Sequence, residues 1–146
     1  MNTVAILDKT AQKTNIWLHD AVYELDWVTT QRGYLALRAV LHALRDRFSV
    51  QEVAQFGAQL PIFIRGVYYE GWNPARTLVK NRKKEAFLAQ VKKEFAHTRN
   101  PDVDPEHVVR AILRVLCKHM PGGEMDQIKN VLPHELRDFW PAPNAA

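Results

Sequence analysis

The chain has 146 residues, 47% of them hydrophobic and 25% charged, with a formal net charge of +4 at pH 7. That length and balance describe one soluble globular domain or two very small ones, and exclude collagen-like, low-complexity and disulfide-framework chains. A single cysteine, Cys117, permits no internal disulfide, no apolar run reaches the roughly 18 residues of a membrane helix, and no basic leader precedes a long apolar stretch, so a cytoplasmic protein is expected.

In chain order, a first helix is expected from about Lys13 to Glu24, carrying Trp17 and Leu18. Leu37, Val40, Leu41, Leu44 and Phe48 then follow the i, i+3, i+4, i+7 spacing of an amphipathic helix. Ser49-Val50-Gln51-Glu52 is a capping box that starts a third helix over Val53, Phe56 and Leu60. Pro61 suits the first turn of a fourth, and Gly71 with Pro74 beyond it marks the stop. A helix from Lys83 to His97 carries Phe87 and Leu88. Asp104-Pro105-Glu106 then reads as a cap, a first-turn proline and a first-turn acid. It opens a stripe of Val109, Ile112, Leu113, Leu116 and Met120. After the break at Pro121-Gly122-Gly123, Met125, Ile128 and Leu132 lead to Pro133, Leu136, Phe139 and Trp140. No alternating strand pattern interrupts this.

The second half repeats the first. Leu37 to Tyr68 aligns without a gap on Val109 to Trp140, 72 positions later, with 9 identities in 32 positions, Arg38/Arg110, Leu41/Leu113, Pro61/Pro133 and Arg65/Arg137 among them. Repetition at a fixed period marks a duplicated structural unit. The expected fold is therefore all-α: two tandem, similar units of about four helices each. Residues 11–73 form the first repeat, 74–82 a basic linker and 83–141 the second repeat. Units of this size make marginal cores alone, so they are expected to pack about a pseudo-twofold axis into one compact bundle.

Three stretches carry resemblance to a known family: Leu37 to Arg47, Gln59-Leu60-Pro61, and above all Arg65-Gly66-Val67-Tyr68-Tyr69-Glu70-Gly71-Trp72. With Arg110 to Leu113 and Val131 to Leu136 in the second copy, the chain resembles the bacterial family catalogued as domain of unknown function 2267, over about Trp17 to Pro141. The resemblance implies a duplicated helical protein. It carries over no catalytic residue.

Residues that differ between the copies are the candidates for function. Ile62 and Phe63 stand where the second copy has His134 and Glu135. The segment Ile62 to Tyr69 is apolar nearly all round, which fits burial between the copies, an exposed patch for a partner or a homodimer, or a ligand pocket. Phe63, Tyr69, Glu70 and Trp72 are the candidate partner-binding residues, because aromatics beside a loop are enriched at interfaces. Glu70 is also the candidate for an enzymatic or small-ligand pocket, although no second converging group is evident.

Charge is concentrated between the copies. Residues 1–73 hold seven acids and seven bases, whereas Pro74 to Asn100 holds eight bases against Glu85 and Glu94. Arg76, Lys80, Arg82, Lys83 and Lys84 are thus candidates for contact with an anion or nucleic acid, within a basic segment spanning 76–93. The six histidines lack paired ligand spacing, and the dispersed glycines form no phosphate loop. No metal, cofactor or catalytic residue is expected. The leading expectation is a non-catalytic binding module, with nucleic-acid association second and a pocket near Glu70 third.

Overall fold

A computed structural model of the chain describes residues 4–76 and 78–142. Over them run seven α-helices, with no strand among the described residues. They are α1 (Ala5–Leu25), α2 (Thr30–Arg45), α3 (Val50–Ala58), α4 (Ile62–Tyr69), α5 (Lys84–Lys93), α6 (Pro105–His119) and α7 (Glu124–Val131). Short 3-10 helices occupy Pro74–Arg76 and His134–Phe139.

The caps explain most of the boundaries. Thr29 accepts a hydrogen bond from the Arg32 amide to open α2, and Asp104 accepts from Glu106 to open α6 ahead of Pro105. At α3 the Ser49 hydroxyl accepts from the Glu52 amide at 3.2 Å while the Glu52 carboxylate accepts from the Ser49 amide at 2.8 Å. This is the expected capping box. Beyond α4, Gly71 takes φ 73°, the left-handed conformation that a side chain would strain.

Three helices differ from the sequence reading. α1 begins two turns before Lys13 and runs from Ala5 to Leu25. α5 ends at Lys93 rather than near His97, because the Phe95, Ala96 and Thr98 amides bond three residues back and tighten the chain into turns. The last helix of the second half is a 3-10 helix, where α4 is a regular one. Trp140 sits in extended backbone ahead of Pro141, whose ring disfavours the α conformation in the residue before it.

α2 and α6 pack on one another, and α1 and α5 each lie against both. α4 rests on α1, α2 and α3, and the terminal 3-10 helix rests on α6 and α7. From Ala39 to Arg45 every residue of α2 is buried, and α6 buries Val108, Val109, Ala111, Ile112, Leu113, Val115 and Leu116. One continuous hydrophobic cluster draws on both halves, joining Trp17, Leu41 and Phe56 with Phe87, Leu113 and Phe139. Burying such side chains supplies on the order of 1.5–3 kcal/mol each.

Two pairs of residues 72 positions apart make similar bonds. The Tyr68 hydroxyl donates to the Val53 carbonyl at 2.9 Å, and the Trp140 indole, 72 residues later, donates to Met125 at 3.2 Å. Arg65 donates to the Ala58 and Leu60 carbonyls at the end of α3, and Arg137 donates to Asn130 at the end of α7. Each arginine ties down helix-end carbonyls left open by the backbone pattern.

Three consecutive residues at the end of α2 fasten the connection that follows α4. Arg45 Nη1 donates to the Tyr68 and Glu70 carbonyls at 2.7 and 2.9 Å. The Asp46 carbonyl accepts from the Val79 amide at 3.0 Å, and the Arg47 carbonyl accepts from Arg82 at 3.1 Å. Arg47 itself is 2% exposed, lies over the Phe87 ring and donates to Gln90 at 2.8 Å. Burial lowers its pKa to about 10, with the nearby Asp46 acting in the opposite direction.

Candidate functional site

The aromatic stretch after α4 is divided by the fold. Phe56, Tyr68, Tyr69 and Trp72 form a chain of ring contacts, with centroids 5.0 to 5.7 Å apart. Burial pushes the Tyr68 phenol well above its ordinary pKa. Tyr69 and Trp72 are half-buried against the core. Tyr69 finds its place because Gly57 has no side chain: a Cβ there would stand 2.6 Å from the Tyr69 hydroxyl. Glu70 points back to α2, where Arg38 Nε donates to its carboxylate at 3.0 Å. The same guanidinium pairs with Glu94, just past the end of α5.

Phe63 is not part of that chain. It is 51% exposed, and Ile62 beside it is 60% exposed, whereas Ile64, Val67 and Tyr68 are buried. Burial of Ile62 and Phe63 between the two halves is therefore not what the structure has. Phe63 instead closes one end of an apolar groove of about 350 Å³ along the start of α1, with Leu7, Thr10, Ala11 and Thr14. The core-facing stripe of α1 continues outward here as exposed side chains.

The basic segment also splits. Arg82 is partly buried and bonded to the Arg47 carbonyl, and Lys84 lies over the Phe139 ring while its amide bonds to Glu135. Arg76, Lys80 and Lys83 are exposed, as are Lys92, Lys93 and Arg99 further on. None of these six forms an ion pair among the described residues. Of the two acids in this stretch, Glu94 is tied to Arg38, so Glu85 is the one left to offset them.

Sequence reasoning missed a polar groove between α2 and α5. His42, Arg45 and Asp46 form one wall, at i, i+3 and i+4. Gln90, Lys93, Glu94 and His97 form the other, at i, i+3, i+4 and i+7. The space between them is about 520 Å³. A smaller hollow of about 230 Å³ continues past Arg45 and Asp46 to Gly71, Asn73 and Arg76. The signal was present as two polar stripes at helical spacing, but such stripes ordinarily mean a solvated face.

His42 is 9% exposed, and its Nε2–H donates to the Val67 carbonyl at 2.7 Å. Burial pushes its pKa down; the bond to Val67 opposes this, while Arg45 and Arg38 add to it, so the ring is held neutral. Asp46 is fully engaged: Oδ1 accepts from Arg45 Nε at 3.0 Å and Oδ2 from Gln90 Nε2 at 2.8 Å.

A second histidine cluster joins α1 to α6. His119 Nε2 donates to Asp20 at 2.5 Å, and Lys118 reaches the same oxygen at 3.1 Å. The His119 ring stacks on Trp17 at 5.0 Å. Burial acts to raise the Asp20 pKa, but the bonds from His119 and Lys118 outweigh it and hold the carboxyl below its ordinary value. One turn along, Arg114 Nε donates to Glu24 at 2.6 Å. No nucleophile meets this cluster, and the Cys117 thiol, also pushed up by burial, has no hydrogen-bond or ion partner among the described residues. No group of three His, Cys, Asp or Glu among the described residues is arranged to hold a metal ion. No described helix is long and apolar enough to cross a membrane.

A family model described as an uncharacterised conserved protein (DUF2267) matches residues 14–139, so the chain belongs to that family. No curated protein matches the chain.

Proposed function

For this member of the DUF2267 family we propose a non-catalytic binding module that docks an acidic surface of a partner protein. The docking face is the exposed basic side of the linker and α5. One observation carries this reading: Arg76, Lys80, Lys83, Lys92, Lys93 and Arg99 are exposed and enter no ion pair among the described residues. Exposed cations left without partners along one segment raise the local concentration of anionic surfaces and steer their approach. Arg82 and Lys84 shape the face from beneath. Phe63, in its separate groove, is an apolar contact available to the same partner or to a second copy. Tyr69, Glu70 and Trp72 support the face by fixing the start of the linker.

Nucleic acid is the second reading, favoured by one feature. Ala89 and Ala96 lie beside Lys92 and Lys93 in a shallow groove of about 390 Å³, where small side chains let a phosphate ridge approach the lysines. Against it, Tyr69 and Trp72 stack inward and are not free to receive bases. A catalytic role for Glu70 has less support, since its carboxylate is committed to Arg38.

The duplication belongs to the same reading. Two units related by a pseudo-twofold axis are supported by the paired bonds of Tyr68 and Trp140 and of Arg65 and Arg137. A cytoplasmic setting is supported by the lone cysteine.

The test is fluorescence anisotropy with labelled polyglutamate, single-stranded DNA and duplex DNA, each at two salt concentrations. Polyglutamate binding that weakens with salt and is lost when Lys80, Lys83, Lys92 and Arg99 are changed to Glu is the expected result. Tighter binding of either DNA selects the second reading, and no binding of any probe refutes both.

A further inference from the structure

The groove between α2 and α5 has features of a small-molecule site that a docking face does not need. At about 520 Å³ it falls in the size range of ligand clefts. Its acids are already engaged: both Asp46 oxygens accept bonds, and Glu94 pairs with Arg38, which also holds Glu70. Several of its donors are not committed. Lys93 and His97 are exposed, and their side chains enter no hydrogen bond or ion pair among the described residues. Gln90 uses one amide hydrogen on Asp46, while its carbonyl accepts from Arg47, which leaves a second N–H to offer.

Arg45 is fixed in advance. It is 5% exposed, and the Tyr68 and Glu70 carbonyls hold Nη1 while Asp46 holds Nε, so Nη2 is the end left to meet an anion. A cation ordered before binding avoids the entropy loss that a mobile lysine suffers. His42 adds the opposite polarity. A carbonyl can only accept, so the bond to Val67 places the hydrogen on Nε2 and leaves Nδ1 with a lone pair. The groove thus combines convergent cationic donors with one acceptor.

We propose that the α2–α5 groove binds a small phosphomonoester bearing a neighbouring hydroxyl group. Its phosphate is held by Lys93, His97 and Arg45, and its hydroxyl donates to His42 Nδ1. A carboxylate ligand would use fewer of these donors, since it presents two oxygens to them where a phosphate presents three. This site goes beyond the docking reading and stands without it: its ligand is a small molecule, and although Lys93 belongs to both, Arg45, His42 and Gln90 lie off the exposed basic face.

The experiment is a titration of the full chain, followed by amide chemical shifts, with glycerol 3-phosphate, inorganic phosphate and glycerol at low ionic strength. Glycerol 3-phosphate is expected to give saturable shifts centred on residues 42–46 and 90–97, with weaker binding of inorganic phosphate and none of glycerol. Lys93→Ala is expected to weaken binding about tenfold, the weight of one charge-assisted hydrogen bond. Lys83→Ala removes the same charge outside the groove and leaves affinity within about twofold. His42→Gln keeps a donor for Val67 and erases the preference for glycerol 3-phosphate over inorganic phosphate. Absence of saturable shifts overturns the proposal, as does an equal loss in Lys83→Ala and Lys93→Ala. Equal affinity for the two phosphates in the unaltered protein refutes the hydroxyl contact.

Discussion

Positions 63 and 135 align in the sequence, 72 residues apart, and each reaches the first helix of its own half by a different interaction. Phe63 lies along the start of α1 beside Leu7, Ala11 and Thr14. The Glu135 carboxylate accepts the Lys84 amide and caps the start of α5. Nearby, Tyr68 and Trp140 bond matching carbonyls, and Arg65 and Arg137 tie matching helix ends. Other aligned residues do not share partners: Arg38 reaches Glu70 and Glu94, whereas Arg110 reaches Glu106 and the Asp138 carbonyl. Residues that do not match solve one half's local problem, and leave the first half with an exposed apolar groove where the second has a helix cap.

The comparison breaks first if matched residues prove unequal. Leu41 and Leu113 are both fully buried at equivalent places in α2 and α6. Leu41→Ala and Leu113→Ala are each expected to cost about 2–5 kcal/mol in urea unfolding, in one shared cooperative transition. Separate transitions for the two variants would show that the halves fold independently.

A smaller and one-sided effect is expected at positions 57 and 129. Gly57→Ala drives a Cβ into the Tyr69 ring and should lower stability by about 1–3 kcal/mol. Lys129, the counterpart of Gly57, has Pro141 in the place of Tyr69, and Lys129→Ala should fall within about 0.5 kcal/mol of the unaltered protein. Equal effects at both positions would remove the Tyr69 ring as the reason for the glycine.

The smallest effect concerns pH. The residue aligned with His42 is Arg114 and not a second histidine, so the two halves should differ in acid sensitivity. The folded chain holds His42 below its ordinary value of 6.5, and the unfolded chain binds a proton that the folded chain resists. Stability is therefore full above about 6.5, and declines as pH falls from there toward the lowered folded-state value. Hydrogen exchange should show α4, whose Val67 carbonyl is held by His42, losing protection in this window before α7 does. His42→Asn should flatten the difference.

Much of the fold was legible because caps and stripes are local. Ser49 with Glu52, Asp104 with Pro105, and Gly71 each act within a few residues, and each sets a boundary close to where the sequence places it. The first two turns of α1 were not legible, since Val4 provides no side-chain cap and Leu7 and Ala11 stand among the charged and polar Asp8, Lys9, Gln12 and Lys13. The fate of Ile62 to Tyr69 needed the neighbours: Tyr69 goes inward only because Gly57, twelve residues back, leaves room. The α2–α5 groove was illegible for a different reason. Its two walls are 48 residues apart from His42 to Gln90, and each alone reads as a wet helix face until packing sets them opposite each other.

Arg45, Asp46 and Arg47 hold the connection between the halves at Tyr68, Glu70, Val79 and Arg82. In mechanical terms the connection is a splint laid along the end of α2, unlike a tether between two beads. A pull applied to it is delivered straight into the most deeply buried helix. Cutting these bonds would free the connection from α2 before it disturbed either end of the linker.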